Sequence, residues 1–157
     1  MSDQLKKLII VLIPTIIVAA IGSMITQPAV ESWYQHINKP SLVPPNEVFP
    51  VVWTILYLMM TIAAFMVYRS KAPQYLIQPA LFMYFVQLGF NLLWSYLFFY
   101  KGQFGYAFIE IVILWLMIFY TIVRFGKVSK TAAWMLVPYL LWVGFATYLT
   151  YSIYKMN

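Results

Sequence analysis

Five apolar runs, each long enough to cross a lipid bilayer, follow one another with little between them, and this feature constrains the fold more than any other. They cover residues of about 5–26, 50–68, 76–100, 104–125 and 130–154. At 1.5 Å of rise per residue, each run as a helix bridges most or all of a hydrocarbon core about 30 Å thick. A backbone in lipid must satisfy its own hydrogen bonds, so runs of this length read as helices. Only 9% of the residues are charged and 64% are hydrophobic. A water-exposed surface needs about 25% charged residues, so lipid must solvate this one. The expected fold is an all-α integral membrane protein. It is a five-transmembrane-helix bundle forming one domain over residues 1–157, with a long ordered loop between helices 1 and 2.

That loop, residues 27–49, is the longest polar stretch. Its Ala29–Tyr34 portion suits a short interfacial helix, with Trp33 and Tyr34 at headgroup level. Pro40, Pro44 and Pro45 then favour stiff, extended backbone and an ordered cap. Pro14 inside the first run predicts a kink or local rearrangement, and Pro138 lies inside the fifth. Lys6 and Lys7 precede the first run in the manner of a signal peptide, but the run is too long for one and reads as a retained helix.

Charge placement sets the expected orientation. Lys6, Lys7, Arg69, Lys71, Arg124, Lys127 and Lys130 fall on one side, and Lys39, Lys101 and Lys155 on the other. In a bacterial cytoplasmic membrane this puts the N-terminus in the cytoplasm and the long loop and C-terminus outside. The net charge of +6 comes from basic residues dispersed at the ends of apolar runs, which argues for headgroup contact and against a nucleic-acid partner. There is no Cys and one His, so neither a thiolate metal site nor a zinc centre is expected. No Ser–His–acid set, no carboxylate pair within a span and no phosphate-binding loop is present.

Polar residues inside spans carry the functional signal. Gln87, Asn91 and Ser95 recur at i, i+4 and i+8 with Trp94 beside them, and fit either interhelical hydrogen bonding or a polar anchor in a ligand cavity. Glu110 in the fourth run needs a partner, hydration or a proton. Trp53 and Tyr57 share a helix face, as do Trp142, Ala146 and Thr150, with Leu149 adjacent. Six Trp, thirteen Tyr and twelve Phe exceed the needs of two interfacial belts and suit stacking on a flat apolar ligand.

The same residues carry a resemblance. Trp33-Tyr34, KPSLVPP at 39–45, VFPVVWTILY at 48–57, QLGFNLLWSYLFF at 87–99 and PYLLWVGFATYL at 138–149 resemble, in order and spacing, the TspO/MBR family. This family is also known as the translocator protein, peripheral benzodiazepine receptor or tryptophan-rich sensory protein family. The resemblance implies a five-helix bundle, a homodimer in bacteria, and a cavity beneath the first long loop. It implies binding of tetrapyrroles such as protoporphyrin IX and haem-related molecules, of sterols, and of isoquinoline or benzodiazepine ligands, with no obligatory cofactor. Carried over residue by residue, the ligand site would comprise Tyr34, Pro44, Phe49, Trp53, Tyr57, Asn91, Trp94, Ser95, Ile111, Trp142, Ala146 and Leu149. The enzyme alternative is light- and oxygen-dependent porphyrin breakdown, with Trp53 and Trp142 as the redox-active indoles. A third reading is a structural membrane partner protein. The chain departs from the family pattern with Glu110 where Asp is frequent and Thr150 where Asn is frequent. A sterol-type pattern is met loosely by Leu149, Tyr151 and Lys155.

Overall fold

The computed structural model describes residues 1–157 and contains helices only. Helix α1 spans Asp3–Val30, α2 Val48–Tyr68, α3 Gln74–Ser95, α4 Phe104–Gly126, α5 Lys130–Met135 and α6 Val137–Met156. Five spans result, because α5 and α6 together form one apolar crossing over Lys130–Met156. Ser2 caps α1 by accepting from the Leu5 backbone N–H, and Ser129 caps α5 by accepting from that of Ala132. The break at Leu136 follows from Pro138, which has no N–H to give to Trp134 and sits comfortably in the first turn of α6.

Three local details differ from the sequence reading. Helix α1 continues to Val30 through both Pro14 and Pro28, so no separate helix begins at Ala29; a 3₁₀ turn over Trp33–His36 follows instead. The fifth run is two helices rather than one containing Pro138. The third run ends in a π-helical turn, Tyr96–Tyr100, in place of a regular helix end. Such turns recur at functional sites.

Around the bundle the helices neighbour one another in the order α1, α2, α5 with α6, α4, α3 and back to α1. The half away from the long loop is solid. Ala63, Ala64, Ala80 and Ala132 let backbones approach there, and Tyr84, Phe125, Ile118 and Leu114 fill the remaining space. The loop-side half is different: the first eight residues of α2 include none that is buried, and its buried residues begin at Leu56. A smaller aromatic cluster closes that end around Tyr34, Phe98, Ala107 and Ile153. The loop is fastened to the end of α6 by three hydrogen bonds. Asn38 donates from its backbone to Asn157 Oδ1 (3.1 Å) and from its amide to the Met156 carbonyl (3.1 Å), and Asn157 donates back to the Asn38 carbonyl (2.9 Å).

Candidate functional site: a cavity beneath the long loop

The hollow half holds a cavity of about 530 Å³, within the range that accommodates drug-sized ligands. Helix α2 contributes Phe49, Trp53, Thr54 and Tyr57, α3 contributes Asn91, Trp94 and Ser95, and α6 contributes Ala146, Leu149 and Thr150. The π-turn adds Phe98 and Phe99, and the loop adds Glu31, Tyr34 and Asn46. The lining residues Ser23 and Gln27 of α1 and Pro50 and Thr54 of α2 are also exposed, which puts the mouth between these two helices.

The aromatic wall is built from contacts between its own members. Trp53 lies 5.6 Å from Tyr57, and Trp94 stacks on Phe98 at 5.3 Å with Phe99 edge-on at 5.8 Å. Tyr34 holds the loop end, 6.3 Å from Phe98 and 5.7 Å from Phe99. Lys39 clamps it by donating to the Tyr34 carbonyl (3.0 Å) and placing its ammonium 4.3 Å from the ring. Burial pushes the Tyr34 phenol above its ordinary pKa, so it remains a neutral hydroxyl.

Below the aromatic wall lies a chain of buried polar groups. Tyr57 donates to Asn91 Oδ1 (3.1 Å), and Asn91 Nδ2 donates to the Tyr139 hydroxyl (2.8 Å). Tyr139 donates to Gln87 Oε1 (2.6 Å), and Gln87 Nε2 donates to the Tyr84 carbonyl (2.9 Å). Thr15 gives its proton to the Val11 carbonyl (2.9 Å), so the Tyr84 hydroxyl is the donor in their 2.7 Å contact. Side chains of α1, α2, α3 and α6 are thereby joined through neutral groups alone. The Gln87–Asn91–Ser95 stripe divides along its length. Gln87 ties helices together below the cavity, while Asn91 and Ser95 line it.

Sequence comparison places this geometry. The model of the TspO/MBR family matches residues 10–156. The chain belongs to the TspO/MBR family. A tryptophan-rich protein TspO from Chlorobaculum tepidum is 36% identical over 157 residues, covering 100% of this chain and 99% of that protein. Protein CrtK from Rhodobacter capsulatus is 37% identical, with 80% of this chain and 79% of that protein covered. The human translocator protein is 33% identical over 80% of this chain and 75% of its own length.

Of the twelve residues the TspO/MBR resemblance implied, nine line the cavity: Tyr34, Phe49, Trp53, Tyr57, Asn91, Trp94, Ser95, Ala146 and Leu149. Three do not. Ile111 is fully buried in the helix core, and no residue of α4 reaches the cavity. Pro44 is half-buried in the loop, whose contributions are Glu31, Tyr34 and Asn46 instead. Trp142 does not share the cavity with Trp53. The Phe49 ring lines the cavity and lies 5.8 Å from Trp142, which faces a shallow apolar groove on α2 and α6 with Val52, Leu56, Met59 and Leu141. The indole N–H groups of Trp94 and Trp142 are buried without a partner.

None of the twelve residues implied by the resemblance lies on α1, yet Ala19, Gly22, Ser23 and Thr26 form part of the wall. The signal was available: these small or polar residues recur at i, i+3, i+4 and i+7 in a helix otherwise rich in Ile, Leu and Val. Glu110 is 5% exposed and neither carboxylate oxygen has a hydrogen-bond partner, so of the alternatives open to it the bond to a neighbouring helix is not made.

Proposed function

We propose that this protein is a membrane receptor or translocator-like protein that binds tetrapyrroles, including protoporphyrin IX and haem-related molecules, and hydrophobic isoquinoline- or benzodiazepine-type ligands in the cavity beneath its long loop. The observation that carries the reading is a loop-capped cavity lined by aromatic rings from α2, α3 and the π-turn, with Asn91 among the polar groups beside them. Relatives named translocator protein and tryptophan-rich sensory protein support the same class. A flat apolar ligand gains from removal of its faces from water and from ring packing, with each good aromatic pair contributing about 0.5–1.5 kcal/mol. The catalytic alternative implied by the resemblance calls for Trp53 and Trp142 beside one ligand. Trp142 is outside the cavity lining and packs on Phe49, which favours binding over conversion by that pair.

Titration of protoporphyrin IX into the purified protein in nanodiscs tests the reading. Saturable binding is expected, with Trp53→Leu weakening it roughly two- to tenfold and Trp142→Leu having a smaller effect. Equal loss in both variants would return Trp142 to the ligand site. A product distinct from photobleaching, lost in both Trp→Phe variants, would establish the enzyme reading. Absence of saturable binding would remove the receptor assignment.

A further inference from the structure

The polar chain beneath the cavity has a direction, and a single bond fixes it. Gln87 lies 2.9 Å from the backbone carbonyl of Tyr84. A carbonyl only accepts, so the Gln87 atom facing it must be the amide nitrogen, and the amide oxygen must face Tyr139 at 2.6 Å. That oxygen also only accepts, so it takes the one hydroxyl proton of Tyr139. Tyr139 can therefore only accept from Asn91, which turns Nδ2 toward it at 2.8 Å and leaves Oδ1 for Tyr57 at 3.1 Å. The Tyr57 hydroxyl must donate to that oxygen. Each assignment follows from the one before and none depends on an arbitrary amide orientation.

Tyr57 lines the cavity, while Gln87 and Tyr139 do not. We infer that Gln87 and Tyr139 are positioning residues that hold the Tyr57 hydroxyl oxygen as an acceptor toward the cavity, so that the floor selects ligands presenting an N–H or O–H group there. Two wall hydroxyls are biased the same way. Thr54 donates to the Pro50 carbonyl (2.8 Å) and Thr150 to the Ala146 carbonyl (2.7 Å), leaving lone pairs for a bound molecule. The second amide proton of Asn91 stays open to a carbonyl, so a secondary lactam or amide matches the floor better than its N-alkylated twin. The inference deepens the proposed ligand-binding reading and rests on it.

The test is a matched pair of flat tricyclic probes, phenanthridinone and N-methylphenanthridinone, titrated calorimetrically into the full chain in nanodiscs. The native protein is expected to bind the N–H probe about tenfold more tightly, the effect of one retained hydrogen bond. Tyr57→Phe removes the acceptor and should bring the ratio of the two dissociation constants close to one. Gln87→Leu, which touches no ligand, frees the Tyr139 proton to turn to Asn91 and should abolish the preference as well. Tyr139→Phe provides an independent break in the chain should Gln87→Leu not fold. A merely structural loss weakens both probes together and leaves the ratio where it was. Saturable binding of both probes with a native ratio near one overturns the inference while leaving the ligand site intact. A preference that survives in both Gln87→Leu and Tyr139→Phe overturns it too. Failure of both probes to bind removes the ligand-site reading and the inference together.

Discussion

Removing the hydroxyl of Tyr139 should destabilise the bundle out of proportion to the single atom lost. Tyr139 is 1% exposed and its hydroxyl bridges Asn91 and Gln87, themselves 3% and 1% exposed, so Tyr139→Phe deletes two interhelical hydrogen bonds at once. Interhelical hydrogen bonds in membranes average about 0.6 kcal/mol and reach about 1.7 kcal/mol, because the unfolded chain in lipid also finds partners. Two such bonds place the loss at about 1–3 kcal/mol. The Gln87 end should dominate, since its oxygen is left buried without a donor while Asn91 borders the cavity and can recruit water. The ring should keep its place 6.2 Å from Trp53. Denaturant unfolding in mild detergent, followed by circular dichroism, measures the loss, and the double variant Gln87→Leu/Tyr139→Phe separates bond from orphan. Removing both partners should cost less than the two single substitutions added together. A Tyr139→Phe protein within about 0.3 kcal/mol of the parent, or strictly additive costs, would contradict the directed chain as a structural element.

Glu110→Leu should raise the unfolding midpoint, because it replaces a buried carboxyl that has no hydrogen-bond partner and whose burial costs about 1–3 kcal/mol; a lower midpoint would reveal an interaction at Glu110 that offsets its burial. The chain has no Cys, so single-cysteine labelling can read orientation directly. In intact bacterial cells, His36→Cys should react with an impermeant maleimide and Val128→Cys should not, as the seven-to-three basic asymmetry requires; reaction at residue 128 alone would invert the topology.

The five spans were legible because hydrophobic length is a one-dimensional property, and each long run became one crossing, the fifth of them in two helices. Asn91 and Trp53 were legible because polar or aromatic residues stand out in an apolar helix. The differences in placement arise where three-dimensional register decides. Trp142 lies one turn before Ala146, so helical spacing alone assigns both to one face, but Trp142 packs on Phe49 and lines the groove on α2 and α6 instead. Ile111 is apolar on an apolar helix, and nothing in its spacing distinguishes a cavity wall from the solid core. The π-turn at Tyr96–Tyr100 brings Phe98 and Phe99 into one wall, and a continuous apolar run gives no sign of its extra residue. On α1 the wall consists of absences, small side chains that leave space, and these draw less notice than the aromatic groups they face.

The central claim is that the loop-capped cavity is the place where this protein holds its ligand. A structure of the full chain with protoporphyrin IX bound tests it most directly. The macrocycle is expected beneath Tyr34, in van der Waals contact with Trp53, Tyr57 and Trp94, with Phe49 between it and Trp142. A macrocycle seated instead in the outer groove with Leu141 and Trp142, leaving the loop-capped cavity without it, would contradict the account.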